Sequence, residues 1–379
     1  MKIRIDARVF EDVVSTAALA ISSKPMKPEY ECVFVEVRSD AGIPVMTVTA
    51  NDTGIAIKKA TDNLQVLENG DALIPAKTLL SFLKLMKGEL EIDVDTHFKA
   101  TMKCGGKRVS IACMNAEDVS SEFTELKKEN TVEMDGKAFV QCVQNVSHCI
   151  SADQARMVLT GVHFSFDAES GRAESVGLDG FRMAIVREAA ETNETFSALI
   201  PIEASKLIAR IIGASENVSF RFDDGIVIVD DYTTSIEASL LSGEYPEYNK
   251  LAPKTNAMRV KVNLGNLTDA VKLAMISADS NKKGLIVFKF SGEDGMNVTA
   301  MAEKCDADTE TSVDIAGNMD GGADEIAFNG KYVLEALKAA ENYGEEIELL
   351  LNKPNSPMAI IPVGRDDFYQ LVLPVRRMV

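Results

Sequence analysis

Apolar residues fall at helical spacing in three segments of one design. Residues 71–86 (DALIPAKTLLSFLKLM), 197–212 (SALIPIEASKLIARII) and 324–340 (DEIAFNGKYVLEALKAA) each open as a short apolar strand, turn, and continue as an amphipathic helix. Aligned on Pro75, Pro201 and Asn329, the copies lie 126 and 128 residues apart. Proline fits the first turn of a helix, where its missing N–H is harmless, and asparagine is a good N-cap. The pattern predicts helices over 76–88, 202–213 and 330–340. A second set, predicted over 6–21, 135–150 and 265–278, follows the short strands MKIRI, NTVEM and AMRVKV and recurs at nearly the same period.

The stretches between these helices alternate apolar and polar at period two, as half-buried strands do. CVFVEVRS (32–39), VMTVTAND (45–52), NVSFRFDD (217–224), GIVIVDD (225–231), GLIVFKFSG (284–292) and AIIPV (359–363) are the clearest. DDG (223–225) and EDG (293–295) suit tight hairpins. The chain is therefore predicted to be α+β: three tandem copies of one domain, each with two helices packed on antiparallel sheets. The boundaries fall at 1–125, 126–252 and 253–379, with polar, turn-forming linkers FTELKKEN and NKLAPKTN.

Composition sharpens this picture at two points. With 379 residues and 46% apolar content, the chain is long and apolar enough for two or three packed domains. No run approaches the roughly 18 apolar residues of a membrane span. The first ten residues, MKIRIDARVF, lack the apolar core of a secretory leader. Cys32, Cys104, Cys113, Cys142, Cys149 and Cys305 follow no framework spacing and read as reduced thiols, so a cytoplasmic protein is expected. The second point is charge. A formal net charge of −18 argues against binding a polyanion unless the basic residues are segregated. They are: the six predicted helices carry ten basic and seven acidic residues, a net +3, and the rest of the chain carries −21. Lys77 and Lys84, Lys206 and Arg210, and Lys331 and Lys338 recur at similar places after the aligned turn. Such a basic face on an acidic body would hold a polyanion on one surface and repel it elsewhere.

No motif carries catalysis. GxxxxGK[ST] and GxGxxG are absent, and GGKRVS (105–110) lies between strand-like runs, as a hairpin does. The histidines are His97, His148 and His163, and no G-x-S-x-G elbow accompanies them. Cys142 and Cys149 are seven apart on one predicted helix face, a core spacing. The acidic run DADTETSVD (306–314) lacks the glycine and glutamate spacing of a calcium loop. No catalytic residue, metal ligand or cofactor is assigned, and the chain is read as a non-enzyme. An enzyme working through paired carboxylates has no motif behind it. The alternative function is a three-domain protein-binding scaffold.

Four ordered segments carry a family resemblance over the full length. LDGFRMA (178–184), SGEYPEYNK (242–250), FNGKYVLEAL (328–337) and the end YQLVLPVRRMV are similar to T-D-G-H-R-L-A, G-x-F-P-D-Y, F-N-x-x-Y-L-x-D-x-L and the apolar-M-P-M-R-L terminus of bacterial DNA polymerase III beta subunits, the DNA sliding clamps. The resemblance implies a head-to-tail homodimer closed into a ring. Helices line the hole and contact double-stranded DNA without reading its sequence, and the ring tethers the replicative polymerase as a processivity factor. It implies DNA-facing residues Lys24, Lys77, Lys84, Lys87, Arg156, Lys206, Arg210, Lys331 and Lys338. It also implies a cleft that takes a short apolar peptide from DNA polymerase III subunits, the clamp loader and other clamp-binding proteins. The cleft wall would be Leu159, Leu178, Gly180, Arg182, Met183, Pro246, Leu251, Tyr332, Val372, Leu373, Pro374, Val375 and Arg376. Phe181 stands where the family has histidine and Met183 where it has leucine. The dimer contact would involve Val109, Ile111 and Ile276. On this reading, Met183→Lys or truncation after Tyr369 removes peptide binding and spares dimerisation and DNA encirclement.

Overall fold

The computed structural model describes residues 1–40, 42–115, 122–223, 225–251, 258–279, 284–290, 296–301, 310–315, 317–320, 325–352 and 356–375. Six α-helices are α1 (Ala7–Ala17), α2 (Ala76–Leu83), α3 (Gly136–Val146), α4 (Ile202–Ile212), α5 (Leu264–Asp279) and α6 (Gly330–Ala340). Their starts are written into the sequence. Asp6 accepts the N–H of Arg8 at 2.8 Å, Asp135 that of Lys137 at 2.7 Å, and Asn263 that of Asn266 at 3.0 Å, capping the first helix of each repeat. Asn329 caps α6 from the N–H of Lys331 at 3.0 Å. Pro75 and Pro201 end the strand before α2 and α4 rather than entering the first helical turn, because a fixed φ near −60° is equally at home in extended backbone.

The chain forms two compact units, Met1–Lys137 with Thr192–Glu194 and Leu207–Leu240, and Ala138–Glu191 with Thr195–Lys206 and Leu241–Val379. The first holds a five-stranded sheet ordered Leu64–Glu68, Lys2–Asp6, Glu89–Val94, Lys99–Cys104, Lys107–Ala112. It also holds a nine-stranded sheet running from Glu191–Thr192 to Gly70–Pro75. Phe10, Val13 and Val14 of α1 and Leu79 and Leu83 of α2 are buried in this unit. The second unit holds a nine-stranded sheet from Phe196–Pro201 to Gly317–Asp320 and a four-stranded sheet of Glu310–Ile315, Met296–Met301, Leu285–Phe290 and Glu325–Asn329. Phe139 of α3 stacks on Phe164 at 5.4 Å, and Phe164 on Phe166 at 5.9 Å. Where α6 begins, a Cβ on Gly330 would lie 2.1 Å from the sulfur of Met275 in α5, so a larger residue there would have to displace that side chain.

Strand pairing joins the repeats by a rule. The last strand of the second repeat, Thr234–Ser239, pairs antiparallel with Ile55–Thr61 of the first. The last strand of the third, Phe368–Val372, pairs in the same way with Arg182–Ala189 of the second. The corresponding last strand of the first repeat is Lys107–Ala112, and the counterpart of Ile55–Thr61 and Arg182–Ala189 in the third is Glu310–Ile315. Each of these two strands ends its sheet, with one edge free among the described residues.

Candidate functional site

Lys77, Lys206, Arg210, Lys331 and Lys338 lie on α2, α4 and α6, Lys84 and Lys87 follow the end of α2 at Leu83, and Lys24 and Arg156 lie outside the α-helices. Lys24, Lys77, Lys84, Lys87, Arg156, Lys206, Arg210, Lys331 and Lys338 are all exposed. Lys84, Arg210 and Lys338 each stand eight residues beyond the first residue of their helix, at Ala76, Ile202 and Gly330. Lys206 lies 3.8 Å from Glu203 and Lys331 3.9 Å from Glu335, loose pairs of the exposed kind. Arg156 differs: its guanidinium is bonded to Asp153 and to a backbone carbonyl, so it is tied to the protein surface.

The proposed cleft residues divide into a floor and a rim. Leu159, Leu178 and Met183 are buried in one apolar cluster with Val176, Ile185, Tyr248 and Leu371. Val372 is likewise buried, opposite Arg182 across the strand pair. Leu251, Leu373 and Val375 are exposed, at 45%, 37% and 41%, as are Gly180 and Pro246. Arg376 lies outside the described residues. The sheet itself brings the segments 178–183 and 372–375 together. Met183 faces Leu371 in register, and the N–H of Leu373 donates to the carbonyl of Phe181 at 2.9 Å. The 245–251 segment is anchored by Tyr248, whose hydroxyl donates to Glu174 at 2.6 Å and whose carbonyl accepts from Leu251. Tyr332 joins through Arg182, whose guanidinium lies 4.2 Å over its ring, and through Phe181 at 6.4 Å.

Arg182 is held on three sides. Asp179 accepts from its Nε at 2.9 Å, Glu335 from its Nη1, and Tyr332 supplies the ring face. Burial opposes the charge, but the bonds to Glu335 and Asp179 outweigh it and raise Arg182 above the ordinary arginine range. Sequence alone does not point to Asp179, Glu335 or the Tyr245–Tyr248 pair. The YPEY spacing at 245–248 is a usable signal for the tyrosines, whereas the carboxylate partners of Arg182 include one from a remote helix and leave no local trace. Among the described residues, no group of three or more His, Cys, Asp and Glu is arranged to hold a metal. The burial of Met183, at 0% exposure, means that Met183→Lys disturbs the fold and is not a change confined to peptide binding.

A buried polar network lies next to this floor. His148 Nε2 meets Gln370 Oε1 at 3.0 Å, Gln370 Nε2 donates to the carbonyl of Asn145 at 3.3 Å, and Asn145 Nδ2 donates to the hydroxyl of Tyr343 at 2.9 Å. With the Gln370 amide nitrogen committed to Asn145, its oxygen faces His148, which fixes the proton on Nε2. Burial, and next the Arg182 charge, lower the His148 pKa from 6.5 to about 4, against the opposing hydrogen bond to Gln370 and the Glu335 and Asp179 charges. The unfolded imidazole takes a proton below about 6.5 and the folded one below about 4. The unfolded state therefore binds more protons in that window, and stability falls as pH falls through it. We expect a loss of about 3 kcal/mol between neutral pH and pH 4 from this group. Thermal unfolding across pH should show it, and a His148→Gln variant should lose that part of the dependence.

Three family models match the chain in order. They are the DNA polymerase III beta subunit N-terminal domain over residues 1–121, its central domain over 133–247 and its C-terminal domain over 249–376. A beta sliding clamp from Synechococcus elongatus is 26% identical over 376 residues, covering 96% of each chain. One from Staphylococcus aureus is 21% identical over 386 residues, covering 99% of each. Among solved structures, the DNA polymerase sliding clamp of Bacillus subtilis superposes with a TM-score of 0.91 at 18% identity, and the DNA polymerase III beta subunit of Thermotoga maritima with 0.87 at 21%. Both comparisons span 100% of each chain.

Proposed function

The chain belongs to the DNA polymerase III beta subunit family, and on that premise we propose that two copies close head to tail into a ring that encircles duplex DNA and tethers the replicative polymerase. It is a clamp and processivity subunit rather than an enzyme. One observation carries the assembly: among the described residues, the pairing rule that joins successive repeats leaves Lys107–Ala112 and Glu310–Ile315 without their third link in a single chain. A second copy supplies that link twice and covers both edges, which would otherwise invite aggregation. The domain boundaries are placed near residues 125 and 252. Helices α2, α4 and α6, with Lys24 and Lys87, offer their cations to phosphates, which carry charge but no sequence. The floor and rim around Leu178, Met183 and Leu373 receive a short apolar peptide from polymerase subunits, the clamp loader or other clamp-binding proteins. The working compartment is the cytoplasm. No helix among the described residues is long and apolar enough to cross a membrane.

The dimer contact draws differently on its three proposed residues. Ile111 is 5% exposed and faces the core of its own repeat, with Val109 half-buried on the same side, so the strand contributes its backbone edge. Ile276 on α5 is 72% exposed and Leu273, one turn earlier, is 49% exposed. Helix α5 packs against Glu310–Ile315, the other free edge. Ile276→Asp therefore leaves the monomer fold intact and places a charge in the subunit contact. Sedimentation should shift from dimer to monomer at micromolar concentration, and retention on nicked circular DNA should be lost with it. A variant that still sediments as a dimer would move the contact elsewhere. A wild-type chain retained equally on linear and circular duplex would favour the scaffold without encirclement.

A further inference from the structure

The loop that follows α3 touches the turn on which the proposed cleft is built. Asp153 caps the short helical segment Gln154–Thr160 by accepting from the N–H of Ala155 at 3.0 Å. Inside that segment Arg156 leaves helical geometry, with φ −112° and ψ 60°. Its side chain reaches across to the 179–182 turn. Nε bonds Asp153 at 3.1 Å, and Nη1 donates to the carbonyl oxygen of Asp179 at 3.2 Å. A Cβ built on Gly180 would sit 3.0 Å from that same Nη1, and Gly180 has φ +92°. The left-handed backbone at 180 favours glycine, and any side chain there would push the Arg156 guanidinium aside.

The turn held in this way organises the cleft. The side chain of Asp179 accepts the N–H groups of Phe181 at 2.8 Å and Arg182 at 3.0 Å, as well as Arg182 Nε. Arg182 in turn fixes Glu335 and Tyr332 of α6, while the Phe181 carbonyl fixes Leu373. Moving the Asp179 carbonyl therefore moves side chains from three segments of the cleft at once. Arg156 itself remains 46% exposed, so a phosphate can reach it.

We propose that Arg156 is a positioning residue for the peptide cleft, holding the 179–182 turn by a two-point guanidinium contact, and that a nucleic-acid phosphate which takes this guanidinium weakens peptide binding. The inference rests on the cleft reading under Proposed function and adds its regulation. Lysine can keep the charge at 156 but cannot bond Asp153 and the Asp179 carbonyl together in the planar fork. Because two ligands that compete for one arrangement affect each other equally, the peptide should also weaken DNA contact by the same factor.

The test is fluorescence anisotropy of a labelled short peptide rich in glutamine, leucine and phenylalanine, titrated with the full-length dimer. Arg156→Ala and Arg156→Lys should both raise its Kd about fivefold, the low end for coupled sites. A saturating short duplex should raise the wild-type Kd by a similar factor and leave the Arg156→Ala value unmoved. Leu373→Asp, on the exposed rim, should abolish binding. If Leu373→Asp binds as wild type does, the cleft reading itself falls. If Leu373→Asp fails to bind while Arg156→Ala matches wild type, the cleft stands and the positioning role falls. Full affinity in Arg156→Lys would reduce the role to bare charge and overturn the two-point contact. A duplex effect of equal size in wild type and Arg156→Ala would overturn the competition.

Discussion

Met183→Lys should cost about 3–5 kcal/mol of folding stability and lower the thermal midpoint of the chain before any peptide is added. Met183 has no accessible surface and sits on the strand Arg182–Ala189, facing Leu178 on one side and Leu371 on the other. Leu159, Val176 and Ile185 fill the rest of that cluster. A lysine there would bury an ammonium with no carboxylate named in the cluster, or deprotonate, and either outcome costs energy. Truncation after Tyr369 should fail for a related reason. It removes Gln370, Leu371 and Val372, all buried, and with them part of the ladder joining Arg182–Ala189 to Met358–Pro362. Leu373→Asp is the cleaner probe, since Leu373 is 37% exposed. Circular dichroism melts of the two variants separate the cases. An unchanged melt for Met183→Lys would mean that the floor opens far more readily than its packing indicates.

How much of this is legible in sequence depends on the range of the cause. Helices α4 and α6 match their predicted spans almost residue for residue, because the signals that start and stop them are local. The prediction for α2 runs to residue 88, but the helix ends at Leu83. The apolar spacing continues through Leu85 and Met86, yet Leu85 is 67% exposed and Met86 folds back into the core ahead of Gly88, whose φ is +86°. Likewise α1 tightens into a 3₁₀ turn at Ala18–Ala20, a change that amphipathic spacing does not register. The pairing of Thr234–Ser239 with Ile55–Thr61 leaves no trace at all, since strands so far apart in the chain carry no shared turn. At the site, residue type identifies an apolar surface but cannot tell floor from rim. Leu159 and Leu373 read alike in sequence and differ sixfold in exposure. Arg156 reads as a plain cation because its partner Asp179 lies in a different element.

Reversing five cations, Lys77, Lys84, Lys206, Arg210 and Lys338, to glutamate should remove most of the affinity for duplex DNA while the dimer persists. All five are exposed, so each change costs the fold little. Lys84, Arg210 and Lys338 stand at the C-terminal ends of their helices, where glutamate opposes the helix dipole by about 0.3–1 kcal/mol each. A parallel set carrying glutamine controls for that, since it removes the cations without adding the repulsion. Every cation–phosphate pair removed should lower the slope of log affinity against log salt by about 0.9. Removing five such pairs would flatten it by roughly four to five, and at low salt the affinity should drop on the order of a thousandfold. The acidic remainder of the chain deepens the effect: each reversal takes the net charge from −18 down by two, and Lys24, Lys87, Arg156 and Lys331 are left to attract a polyanion against a more negative body. Sedimentation of the variant as a dimer, with retention on circular duplex abolished and the salt slope flattened, is the expected set of results. A dimer that keeps both its retention and its steep slope after five reversals would mean that the phosphates meet some other surface. Steady retention that ignores salt in the wild type would mean that charge plays no part in holding the DNA.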